Sequence, residues 1–243
     1  MEPRRGRGEP PARVVTAALV ELAGVSKEYG ALRPLRIEHL SVGEGENVAL
    51  VGLDLPAAET LINLITGATL PDRGQIRLFG RPTDEITHAS DWLSTLDRFG
   101  IVSDRAALLE GLTVVQNLAL PFSLEIEPPN DEIRRRAIDL AREVEIEDAL
   151  WDARIADLEG STRVRVRLGR AVALEPSLLL VEHPTAAVAA ADILDLGQTV
   201  RKVAERRRIA AIILTADRRF AAIAASRVLT LAPASGRFRR EDW

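Results

Sequence analysis

Residues 52–60, GLDLPAAET, follow the short apolar run 48–51 (VALV) and lead into residues 61–65, LINLI, whose apolar side chains fall at helical rather than alternating spacing. A strand, a glycine turn and a helix start make an anion site, because unpaired amides at a helix N-terminus and the helix dipole both favour negative charge. Phosphate is the expected ligand of such a turn. Yet this one carries a single glycine and no lysine, and Pro56 withdraws an amide donor. The other group suited to chemistry is His183, whose imidazole can exchange a proton near neutral pH. It follows Glu182 at the end of the apolar run 178–181, LLLV, where a lone histidine is also a common structural residue.

Positioning these groups requires a sheet, and the hydrophobic pattern predicts one. Residues 1–18 begin MEPRRGRGEPPAR, with almost nothing apolar to bury, and read as a disordered tail. Residues 19–29 and 35–40 read as strands on either side of Gly30, with a further strand at 75–79 after the turn PDRG. The first eighty residues thus form a mainly antiparallel β layer enclosing one helix. Residues 131–150 read as the clearest helix, capped by Asn130 and striped by Ile133, Ala137, Leu140, Ala141 and Val144. Residues 105–157 as a whole are expected to form an inserted helical subdomain. Thereafter helix 163–174, strand 178–182, helix 189–207, strand 211–215, helix 218–225 and strand 228–231 alternate, as in a parallel sheet covered by helices; residues 232–243 read as a tail. Ligands in such sheets sit beyond the carboxyl ends of the strands, so the residues just after Val51, Val181 and Leu214 are expected to line one crevice. Arg163, Arg165, Arg167 and Arg170 read as solvated helix surface, and Arg134, Arg135 and Arg136 likewise.

Composition narrows the function. Lys+Arg 32 against Asp+Glu 36 gives a formal net charge of -4, which supplies no basic field for nucleic acid. The absence of cysteine excludes disulfides, thiolate metal sites and cysteine nucleophiles. No apolar run reaches the length of about 18 residues that a spanning helix needs, so a membrane role is expected to be peripheral.

Taken in order, these segments resemble the nucleotide-binding subunit of ABC transporters, over residues 19–231. Residues 25–30, VSKEYG, look like the opening strand whose aromatic, here Tyr29, stacks on adenine. Residues 52–60 occupy the Walker A place. Residues 99–104, FGIVSD, lie where a strand ends in the Q-loop glutamine. Leu158, Glu159, Gly160, Ser161 and Thr162 stand where the family writes LSGGQ. Residues 178–185, LLLVEHPT, match the Walker B segment, and residues 212–217, IILTAD, take the place of the segment ending in the switch histidine. The resemblance implies a P-loop NTPase-like α/β fold with an antiparallel β layer and a helical insert. It also implies ATP and Mg as cofactors, a permease as membrane partner, a second ATP-binding subunit facing the first, and a cytoplasmic location on the inner face of the membrane.

The departures from the family pattern fall on the chemistry. Ala58 stands at the phosphate-binding lysine, Glu59 at the magnesium-binding hydroxyl, Asp104 at the Q-loop glutamine, His183 at the catalytic glutamate and Ala216 at the switch histidine; Glu159 replaces the signature serine. Gly52, Ala57 and Thr60 complete the nucleotide-binding positions, and Glu59 and Glu182 are the candidate metal carboxylates. A like-charge pair at ~4 Å costs roughly 4 kcal/mol at an effective dielectric of about 20, so Glu59 disfavours a phosphate beside it. The expectation is a degenerate subunit with no catalytic residue of its own, paired with an intact second ATPase as a heterodimer rather than with itself. An active ATPase using His183, or a soluble scaffold on the same fold, are the alternatives.

Overall fold

The computed structural model describes residues 18–86 and 88–241; the residues read as an N-terminal tail lie outside these, apart from Ala18. Two sheets organise the chain. The first is antiparallel, in the order β2-β1-β4-β5, from β1 (Ala18–Lys27), β2 (Leu35–Gly43), β4 (Arg73–Leu78) and β5 (Arg81–Pro82). The second runs β10-β9-β3-β8-β7-β6, from β3 (Asn47–Val51), β6 (Phe99–Val102), β7 (Leu178–Glu182), β8 (Ala210–Leu214), β9 (Arg227–Ala232) and β10 (Arg237–Arg240). Its pairs are parallel except β10 with β9.

The central strands are apolar throughout because both their faces are covered. In β3, Val48 and Leu50 join one core with α1 (Leu55–Ile65) and the antiparallel sheet, while Ala49 and Val51 join the other. The second core is built by α3 (Val114–Ala119), α4 (Asp131–Glu143), α5 (Gly160–Val172), α6 (Ile193–Arg207) and α7 (Arg218–Ala224). A short helix, α2 (Ala89–Leu96), is anchored by Trp92, whose indole donates to Thr66 O at 3.2 Å.

Four sequence expectations are corrected. The helix read over 131–150 ends at Glu143: Val144 caps it, Glu145 adopts a left-handed φ of 59°, and a separate 3-10 turn follows at Asp148–Leu150. The apolar stripe ran on because Val144 and Ile146 are buried in the same core although the backbone has turned. The helix read from 189 starts only at Ile193. The arginines of α5 are not solvated: each bonds to protein, as described below. The stretch 232–243 carries β10, whose Arg and Phe residues give little strand signal but which finds its partner in β9.

Candidate functional site

Strand register brings the predicted strand ends together. Leu50 pairs with Leu214, and Leu214 with Glu182. Backbone bonds continue the alignment past the strands, from His183 N to Leu214 O at 2.8 Å and from Thr215 N to Leu50 O at 3.2 Å. The residues that follow Val51, Val181 and Leu214 are therefore neighbours at one edge of the sheet.

At its β3 side, Gly52 turns the chain with φ 90°, and a Cβ there would lie 3.1 Å from Leu231 O; a side chain would be strained in both respects. Asp54 then caps α1. Its Oδ1 accepts from Ala57 N at 2.9 Å, its carbonyl accepts from Ala58 N at 2.9 Å, and Pro56 has no N–H to offer. The Ala57 amide, which could otherwise face an anion, is thus taken by the protein's own carboxylate. Ala57 and Ala58 are buried, and the Thr60 hydroxyl donates back to Pro56 O at 2.7 Å. Glu59 projects outward with its side chain half exposed.

Glu59 and Glu182 share one cation, Arg105. Its Nη1 lies 2.6 Å from Glu59 Oε1 and its Nη2 2.8 Å from Glu182 Oε2. The Ser103 hydroxyl donates to the same Glu182 oxygen at 2.6 Å and accepts from Arg105 N at 3.2 Å. The Glu182 side chain is 8% exposed, so this guanidinium and hydroxyl neutralise a nearly buried carboxylate. Asp104 turns to the helices: its carboxylate pairs with Arg167 of α5 at 2.9 Å.

His183 adopts a left-handed φ of 42°, and its buried Nε2 has no hydrogen-bond partner. Burial holds the imidazole below its ordinary pKa, against the opposing charges of Glu182 and Asp54, so the ring is neutral at neutral pH. Ala216 is exposed in the turn after β8, where Thr215 and Asp217 set up the start of α7. Tyr29 shares a cleft of about 190 Å³ with Gly52, Asp54, Ala57 and Leu231; burial and then the Asp54 charge raise its phenol pKa.

The signature positions form a different cleft. Leu158, Glu159, Ser161 and Thr162 line a space of about 470 Å³ with Arg165 and Asp192. Glu159 is the N-cap of α5 but makes no capping bond, and Ser161 Oγ donates to Asp192 at 3.2 Å. A Cβ on Gly160 would meet Ala187 O at 1.8 Å, so only glycine lets α5 start this close to the chain beyond β7.

Sequence reasoning passed over Asp54, Ser103 and Arg105. Asp54 had a signal, an acidic residue two positions before a proline in the first turn of a helix. Arg105 had none, since its partners are 46 and 77 residues away.

Comparisons with known proteins identify the family. The ABC transporter family profile matches residues 35–186. The sulfate/thiosulfate import ATP-binding protein of Methylococcus capsulatus is 33% identical over 217 residues, covering 87% of this chain and 60% of that protein. Its counterpart in Caulobacter vibrioides is 32% identical over 217 residues, covering 87% and 61%. The chain thus spans about three fifths of the length of these relatives. Among solved structures, cbiO1 of Clostridium perfringens, part of the ABC transporter complex cbiONQ, superposes with a TM-score of 0.75 at 20% identity, covering 91% of this chain and 87% of that one. A dimeric ATP-binding cassette in a post-hydrolysis state with ADP and Pi gives 0.72 at 23% identity, covering 92% and 100%. Profile, relatives and fold concur: the chain belongs to the ABC transporter family, as an ATP-binding cassette domain.

Proposed function

We propose that this cassette is a non-hydrolysing subunit of an ABC transporter, which keeps the family's architecture and partner surfaces while its own nucleotide site is closed. The observation that carries this reading is Arg105, whose guanidinium bridges Glu59 and Glu182 and occupies the two carboxylates that would otherwise face a metal. The donor set does not suit MgATP. Position 58 offers a buried methyl group in place of a cation, Asp54 supplies the acceptor that a phosphate would supply, and both Glu59 and Asp54 would repel a polyanion. Phosphoryl transfer depends on positioning and charge neutralisation, and these residues provide neither for a phosphate.

The cassette works beside a membrane permease, on the inner face of the membrane, and faces a second, intact ATP-binding subunit. The names of the relatives support an import system, and the described residues contain no helix long and apolar enough to cross a membrane. Residues 105–157 act as the helical subdomain. The groove for the permease lies beside β6, where Leu96, Phe99, Ile101, Leu120, Pro121 and Leu174 line a cleft of about 410 Å³. A titration of the purified chain with MgATP, followed by a hydrolysis assay, tests the reading. Neither binding nor turnover is expected; turnover that falls in Glu182→Ala or His183→Ala would overturn it.

One observation favours a second reading, an active but unorthodox ATPase. The neutral, unpartnered Nε2 of His183 is in the state a general base requires. That reading predicts magnesium-dependent nucleotide binding, which the same titration detects.

A further inference from the structure

We propose that residues 103–110 form an electrostatic clasp that fastens the helical part of the chain to the sheet without any ligand, with Arg163, Arg167 and Arg170 as positioning residues for Arg105. The inference rests on the reading of the Glu59–Glu182 site as closed to nucleotide.

The segment is held from two sides. Toward the sheet, Arg105 reaches Glu59 of α1 and Glu182 of β7, and Ser103 bonds the same Glu182 oxygen. Toward the helices, α5 presents arginines at positions 163, 167 and 170, a spacing that places them on one face. Arg167 pairs with Asp104 at 2.9 Å and donates from Nε to Ala106 O at 3.3 Å. Arg170 donates to Ala107 O at 2.7 Å. Arg163 grips Glu110 with both terminal nitrogens, one at 2.8 Å, and also donates to Ile155 O at 2.9 Å.

Charge within the group balances. Arg105 meets Glu59 and Glu182, Arg163 meets Glu110 and Arg167 meets Asp104, while Arg170 brings a fourth guanidinium that bonds the Ala107 carbonyl, so the group holds four carboxylates and four guanidiniums. The loop itself is ordered by backbone bonds that report on its opening: Arg105 N to Ser103 Oγ, Ala106 N to Ser103 O at 3.0 Å, and Leu109 N to Asn117 Oδ1 at 2.9 Å. Because Arg105, Glu59 and Asp104 are partly exposed, salt weakens the clasp where it leaves the apolar core intact.

Hydrogen exchange on the full chain, read by mass spectrometry, tests this. In Arg105→Gln the amides of residues 103–110 are expected to exchange at least about tenfold faster than in the wild type, with β3 and β8 unchanged, as for a local opening. Arg167→Gln is expected to accelerate the same amides by several-fold, and added sodium chloride to accelerate the wild type more than Arg105→Gln. Should Arg105→Gln fail to fold, Glu59→Gln removes one arm at a half-exposed position and is expected to loosen the same segment. Exchange within about twofold of wild type in whichever of these variants folds would overturn the clasp. A change on adding MgATP to the wild type would count against the closed site alone, since the clasp is judged on the ligand-free comparison.

Discussion

Glu182 is the residue on which the site's energetics turn. Its side chain is 8% exposed and its charge is met by Arg105 and Ser103, whereas Arg105 itself is 45% exposed. Breaking a fully buried ion pair costs about 3–5 kcal/mol, and the exposure of Arg105 lowers this, so Arg105→Gln is expected to destabilise the fold by about 1–2 kcal/mol in a denaturant titration. Asp54→Ala removes the cap of α1 and is expected to cost about 1 kcal/mol by the same measurement, with Asp54→Asn close to wild type. His183 gives a pH signature. Burial lowers its folded pKa, so the unfolded chain takes up the proton first. Stability is therefore complete above the unfolded value of about 6.5 and declines as pH falls below it, until the folded imidazole is also protonated. Melting temperatures of wild type and His183→Gln across this window are expected to converge toward acid, because the variant lacks that loss; parallel curves would refute the assignment.

Among the elements, α5 has the most tightly specified position. Its N-terminus approaches Ala187 O so closely that a Cβ on Gly160 would lie at 1.8 Å, and Gly100 of β6 sits 2.4 Å, by the same measure, from Ala171 O near its other end. Neither neighbour is a flexible side chain, so Gly160→Ala must displace backbone. A cost of about 2 kcal/mol is expected, read as a fall in melting temperature of several degrees. Between these contacts, Arg165 is buried and turns the other way, to Thr199 and Asp195 of α6 and to Val144 O at the end of α4. The arginines of α5 therefore serve two directions. The sequence shows their number and spacing but not their partners, which lie up to 63 residues away.

For the molecule as a whole, the proposed closure of the site predicts that MgATP at millimolar concentration leaves the melting temperature unchanged. A ligand at 100 times its Kd would add about 2.7 kcal/mol, an effect readily seen in a thermal shift assay. The same cassette beside an intact ATP-binding subunit is expected to join one transporter complex, and co-purification with a permease checks this.

Much of this fold was legible along the chain. Alternation and helical spacing located β1, β3, α1, β7 and β8, because burial on one face or on both imposes a period that local sequence records. The order of the landmark segments pointed to the family, and the identities at positions 52–60, 104, 182, 183 and 216 are fixed by the sequence alone. Only the tertiary structure decided where α4 stops, since Val144 and Ile146 stay buried after the backbone turns. Only it showed that β10 has a partner, that the α5 arginines are engaged, and that Arg105 joins Glu59 to Glu182. The reason is physical. Periodicity reports how a segment meets its own surroundings, whereas an ion pair between distant residues leaves no trace in the spacing of either partner until folding brings them within hydrogen-bond reach.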